Sequence, residues 1–125
     1  MTKVVYNACY GGFGLSEEAI KLCAELAGIE IYPVNDRWIT FWFTEEPNGR
    51  SAEEMFNQGV KDFSEDSIER HDPILVQVVE TLGDAASDSC ARLRIAEISG
   101  RQYRISEYDG RESVIEPEDQ DWVVV

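Results

Sequence analysis

Tyr6-Asn7-Ala8-Cys9-Tyr10-Gly11-Gly12-Phe13-Gly14-Leu15-Ser16 reads as the end of a strand, a glycine-rich loop and the start of a helix. Upstream, Val4, Val5 and Tyr6 supply the β-branched and aromatic character of a strand from Lys3 to Ala8. Downstream, Ala19, Cys23 and Ala27 recur every four residues beside Leu22 and Leu26, which gives one apolar helical face. Ser16 is a suitable N-cap, Glu17 and Glu18 complement the positive first turn, Glu17 can pair with Lys21, and Gly28 closes the helix. The loop glycines leave amides uncovered, and the helix N-terminus aims further N–H groups at the same spot, where an anionic group can sit. The alternative is that the glycines only shape a tight βα turn, since their spacing matches neither a dinucleotide-binding fingerprint nor a P-loop.

Working outward, Ile29 to Val34 reads as a strand ending near Pro33, and Trp38-Ile39-Thr40-Phe41-Trp42-Phe43-Thr44 as a second with aromatics on both faces. A small chain has little material to cover both faces, so this strand is expected at a subunit interface, the alternative being a fully buried central strand; Trp122 can join that interface, add an edge strand or lie in a frayed tail. Residues 45–69 read as a variable loop or short-helix insertion. Within it, Ser51 and Glu54 form a capping-box pattern opening a short helix through Met55, Phe56 and Val60, and the acidic run Asp62 to Glu69 reads as a loop. Asp72 and Pro73 open the clearest helix, striped by Ile74, Leu75, Val78, Val79 and Leu82 and stopped by Gly83. Cys90 to Ile98, Gln102 to Glu107 and Glu112 to Ile115 then read as an antiparallel meander, with a turn at Tyr108-Asp109-Gly110-Arg111. With Leu93, Ile95, Tyr103 and Ile105 facing the core, Arg92, Arg94, Gln102 and Arg104 share the opposite side. The expected fold is a single α+β domain over residues 1–125, an antiparallel or mixed sheet with two main helices packed on one face.

The chain of 125 residues carries a formal charge of -14, which argues against binding nucleic-acid polymers or anionic membranes. No apolar run is long enough for a membrane span and no signal-peptide pattern opens the chain, so a cytoplasmic location is expected. Cys9, Cys23 and Cys90 fit neither a disulfide framework nor a metal knuckle, and with His71 as the lone histidine no metal or cofactor is expected. Five of eight arginines, Arg92, Arg94, Arg101, Arg104 and Arg111, fall in one C-terminal window. Their guanidinium forks suit phosphate, and the competing use is pairing with the abundant carboxylates. Arg111, with one or both of Arg92 and Arg104, is the expected phosphate-binding set.

Three segments carry a family resemblance: Asn7 to Ser16; Arg70-His71-Asp72-Pro73 with Val78-Val79-Glu80 and Leu82-Gly83; and Glu107-Tyr108-Asp109-Gly110. They resemble small phage-encoded proteins, the first class of Thoeris anti-defence proteins. The likeness covers residues 1–28 and most of 70–112, leaving 45–69 and the C-terminal end unmatched. The resemblance implies a sponge that sequesters a cyclic ADP-ribose isomer or a cyclic oligonucleotide without cleaving it. It also implies a homodimer or a hexamer built from dimers, with pockets between subunits, and a host bacterial cytoplasm. Carried over by position, the ligand-binding residues are Asn7, Tyr10, Gly11, Gly12, Phe13, Arg70, Asp72, Asp109 and Arg111. Asp72 can equally only cap its helix, and Asp109 only stabilise its turn.

Two other classes fit the residues. Cys9, between a glycine-rich loop and a helix, has the setting of a nucleophile in a small sugar-phosphate or nucleotide enzyme, with His71 as the one possible imidazole base. An acidic protein-interaction inhibitor would use the net charge and leave the loop and arginines idle.

Overall fold

The computed structural model describes residues 2–117. The elements are β1 (Thr2–Asn7), α1 (Glu17–Ala27), β2 (Tyr32–Asp36), β3 (Ile39–Phe43), α2 (Ala52–Asn57), α3 (Pro73–Leu82), β4 (Leu93–Ile98), β5 (Arg104–Tyr108) and β6 (Arg111–Ile115). Together they form one small α+β domain with antiparallel strand pairs. Trp122, expected at an interface, lies outside the described residues.

The helix signals act as read. Ser16 Oγ accepts the N–H of Ala19, and Gly28 sits at a left-handed φ of 72° while its N–H reaches the carbonyls of Ala24 and Glu25. Asp72 accepts the N–H of Ile74 with Pro73 at the first turn, so its carboxylate caps α3. The helices α1 and α3 pack side by side on the face of β1 and β4 that carries Val5, Leu93 and Ile95, forming the main core. Lys21 does not pair with Glu17; its ammonium stands over the Trp42 ring, 5.3 Å from the centroid.

The strand topology differs from the expected meander. Among the described residues there are three two-stranded ladders, β1 with β4, β2 with β3 and β5 with β6, and β4 does not pair with β5. The first strand instead takes β4 as its partner, with Tyr6 opposite Arg94 and Asn7 opposite Leu93. This buries Val5 and Leu93 together under the helices, a gain a local meander cannot offer. The tight turn at Asp109 and Gly110 is as expected, with φ of 52° and 89°, and it joins β5 to β6.

Pro33 lies inside β2 opposite Trp42 instead of ending the strand, which an edge strand tolerates. Phe43 is buried by its own chain in a second small cluster with Ala52 and Met55, and Phe56 sits edge-on to Phe41 and Phe43. The aromatic strand therefore offers less surface to a partner than its sequence suggests; Trp38 and Ile39 at its start remain exposed. Ser51 caps α2 through the N–H of Glu54, but the helix ends at Asn57, before Val60. The acidic stretch after it is anchored: Phe63 is buried and its N–H donates to the Trp42 carbonyl at 2.6 Å.

Candidate functional site

The loop after β1 is held by a side chain that sequence reasoning assigned to ligand. Asn7 is fully buried, and its amide nitrogen donates to the carbonyls of Cys9 (2.6 Å) and Gly110 (2.8 Å). Its Oδ1 accepts from the N–H of Cys9 (3.2 Å) and of Arg92 (2.8 Å). An amide side chain has two donors and two acceptor lone pairs, so Asn7 has no capacity left for a ligand. It is instead the brace joining the loop, the start of β4 and the β5–β6 turn.

The glycines serve this close packing. A Cβ on Gly11 would run into the Cys90 carbonyl, and one on Gly110 into the Tyr10 carbonyl. Gly12, at φ 91°, faces open space. Gly11 thus shapes the turn, whereas a side chain at Gly12 would meet no other atom. Among the described residues, no hydrogen bond takes up the N–H of Tyr10, Gly11, Gly12 or Phe13.

Arg70 is also corrected. Its guanidinium grips the buried Glu112 with Nη1 to Oε1 at 2.6 Å and Nη2 to Oε2 at 2.8 Å, and it stacks over Phe13 at 3.5 Å from the ring centroid. Glu112 Oε1 also accepts the Asn7 N–H at 2.9 Å, and the Val5 N–H donates to the Arg70 carbonyl at 2.8 Å. These are backbone groups on the side of β1 away from β4. Left bare, they would form an unpaired sheet edge; Arg70 and Glu112 cover it. Phe13 and Arg70 are thereby held by structural partners, as the Asp72 carboxylate is by its cap, while Asp109 is exposed and occupies a left-handed turn position.

What remains outward is a smaller set. Arg111 lies with its guanidinium 5.7 Å from the Tyr10 ring centroid, and Tyr108 is its cross-strand partner. Tyr10 is 57% and Tyr108 78% exposed. A cavity of about 260 Å³ runs beside Arg111, lined also by Tyr6, Ala8, Ala96, Ser113 and Glu112, whose carboxylate is taken by Arg70. The Ala8 N–H donates to the Arg92 carbonyl, which extends the β1–β4 ladder and places Arg92 opposite Ala8 at this end of the sheet. Arg104 does not join them. It pairs with Ile115 at the far end of the hairpin, about 14 Å of strand from Arg111. Gln102 and Arg104 line a separate hollow, and Arg94 reaches Asp84 at 3.2 Å, so the expected convergence of four polar groups is not formed. Among the described residues, Arg92, Arg104 and Arg111 have no carboxylate within ion-pair distance.

Two residues escaped the sequence reading. Tyr108 was visible as part of a turn and of a segment carrying the family resemblance but was given no role, and Glu112 was one acid among many. The signal for Glu112 was its place in an alternating strand, where an acid at a core-facing position needs a partner.

A larger hollow, about 550 Å³, lies elsewhere, beside α3 and the start of β1. Its charges are already matched: Lys3 pairs with Glu80 at 3.2 Å. His71 at its border has both ring nitrogens engaged, Nδ1 with Tyr103 Oη at 2.7 Å and Nε2 with Glu69 at 3.0 Å. Burial, reinforced by Glu69 and opposed by Arg70, pushes the Tyr103 phenol up, so it stays neutral. No hydrogen bond joins His71 to Cys9 among the described residues, so the Cys-His arrangement is not assembled. Size alone thus favours this hollow, but unmatched charge favours the cavity beside Arg111.

Against this geometry, no family model matches the chain, and neither a curated protein nor a solved structure shows significant similarity to it.

Proposed function

We propose that the protein binds a small phosphorylated, base-bearing ligand at the end of the sheet that carries Tyr10, Arg92, Tyr108 and Arg111, and sequesters it without cleavage. The observation that carries this reading is Arg111. In a chain with a net charge of -14, its guanidinium stands 5.7 Å from the exposed Tyr10 ring and, among the described residues, makes no ion pair with a carboxylate. An arginine so placed suits phosphate, loop amides suit the remaining oxygens, and tyrosine rings suit a base. The site is open in one chain, so tight binding calls for enclosure, which a second copy closing over Tyr10 and Tyr108 would provide. The family resemblance makes cyclic ADP-ribose and cyclic dinucleotides the first ligands to try.

The test is calorimetry of the purified protein with each of these compounds, followed by heat release and chromatography. Binding with intact ligand recovered supports sequestration. Multiple turnovers, lost in Cys9→Ser, would replace it with an enzyme acting through the Cys9 thiolate, and absence of binding to every compound would remove the nucleotide reading.

A further inference from the structure

A second surface, on the opposite chemical principle, lies between the β2–β3 hairpin and the segment after α2. The groove there has a volume of about 270 Å³ and a floor of Ile20, Phe41, Trp42 and Phe63. Its rim carries Asp62, Glu65 and Asp66. Among the described residues, these three carboxylates make no ion pair, although several other acids in the chain do. Trp38 is 83% and Ile39 58% exposed at the hairpin tip, where Ile39 and Thr40 continue into the groove.

We propose that this groove docks a partner protein through a basic segment bearing apolar side chains. The apolar floor and the Trp38–Ile39 tip would take the apolar residues, and the three unpaired carboxylates the lysines or arginines. The chain already displays one such contact, since the Lys21 ammonium sits over the Trp42 ring in this acidic setting. Charge excludes the other occupants. Nucleic acid and anionic lipid would be repelled, and a second copy meeting this patch about a two-fold axis would bring two acidic rims together. A small organic cation would leave Trp38 uncovered. The partner surface is separate from the Arg111 site, so its test does not depend on the nucleotide reading.

The probe is a short synthetic peptide alternating lysine and leucine, with a glutamate and leucine peptide as control, titrated at low salt. The groove variant is Asp62→Asn with Glu65→Gln and Asp66→Asn. A variant of equal net charge, Glu53→Gln with Glu97→Gln and Glu107→Gln, removes exposed acids elsewhere. Exposed ion pairs are individually weak, so the groove variant should lose roughly fivefold or more in affinity, and the control variant less than about twofold. Backbone amide resonances of residues 38–42 and 62–66 should shift in the wild type. Equal weakening in both variants, or shifts spread over the surface, would reduce the effect to bulk acidity and overturn the proposal. So would a homodimer in which residues 38–42 are already protected.

Discussion

Arg70 and Glu112 meet in a two-pronged ion pair, 2.6 and 2.8 Å, that closes the free edge of β1. Glu112 is only 6% exposed, and besides Arg70 it takes the backbone N–H of Asn7. The pair therefore ties the helix-start segment at Arg70 to the hairpin that carries Arg111, with the strand between them.

Removing one partner leaves the other charge without its match. Glu112→Ala should destabilise the fold by about 3 kcal/mol, because a mostly covered guanidinium and the Asn7 N–H both lose their acceptor. Arg70→Lys keeps the charge and loses the fork, and should cost less than Glu112→Ala. Urea unfolding measures both; a change within experimental error for Glu112→Ala would show the pair to be dispensable.

Asn7→Asp preserves size and one acceptor but turns the donor end into an acceptor facing the carbonyls of Cys9 and Gly110. The expected cost is about 2–4 kcal/mol, together with loss of ligand binding through displacement of the loop. Thermal unfolding and calorimetry on the same variant check the two effects separately.

Gly110 combines φ 89° with backbone of Tyr10 and Gly12 where a side chain would go, whereas Gly12 faces open space. Gly110→Ala should thus cost about 2 kcal/mol or more, and Gly12→Ala about 1 kcal/mol from backbone conformation alone. Equal costs in unfolding experiments would contradict the packing of the turn against the loop.

Among the arginines, position predicts different outcomes. Arg111→Ala should weaken ligand roughly tenfold or more and leave the unfolding midpoint nearly unchanged, since no ion pair within the described chain is lost. Arg104→Ala, at the far end of the hairpin, should leave affinity unaltered. Calorimetry that finds the two variants alike would relocate the site.

Burial, with the Asp72 charge as the lesser cause, pushes the Cys23 thiol up to about 11. Folding therefore holds the thiol protonated through the range between 9.0 and about 11 in which an unfolded chain would lose its proton, so this group's contribution to stability falls as pH rises through that interval. At neutral pH, mass spectrometry after alkylation should show exposed Cys90 modified early and Cys23 modified only on unfolding.

Local chemistry was legible from the chain alone. Ser16 and Asp72 as caps, Gly28 as a helix stop, the Asp109–Gly110 turn and the apolar stripes of α1 and α3 each depend on residues a few positions apart, where propensity, capping and periodicity act directly. Those signals, with length and composition, sufficed for an α+β domain with two helices on one face. Pairing did not follow from them. That β4 joins β1 across most of the chain depends on burying Val5 and Leu93 in one core, which no local pattern encodes. The candidate site was legible by neighbourhood and not by role: sequence marked the loop and Arg111, but only the folded chain decided that Asn7, Phe13 and Arg70 face inward to structural partners. A side chain's hydrogen-bonding capacity is spent by whichever groups tertiary packing brings to it, and for Asn7 those groups come from Cys9, Arg92 and Gly110, the last two distant in sequence.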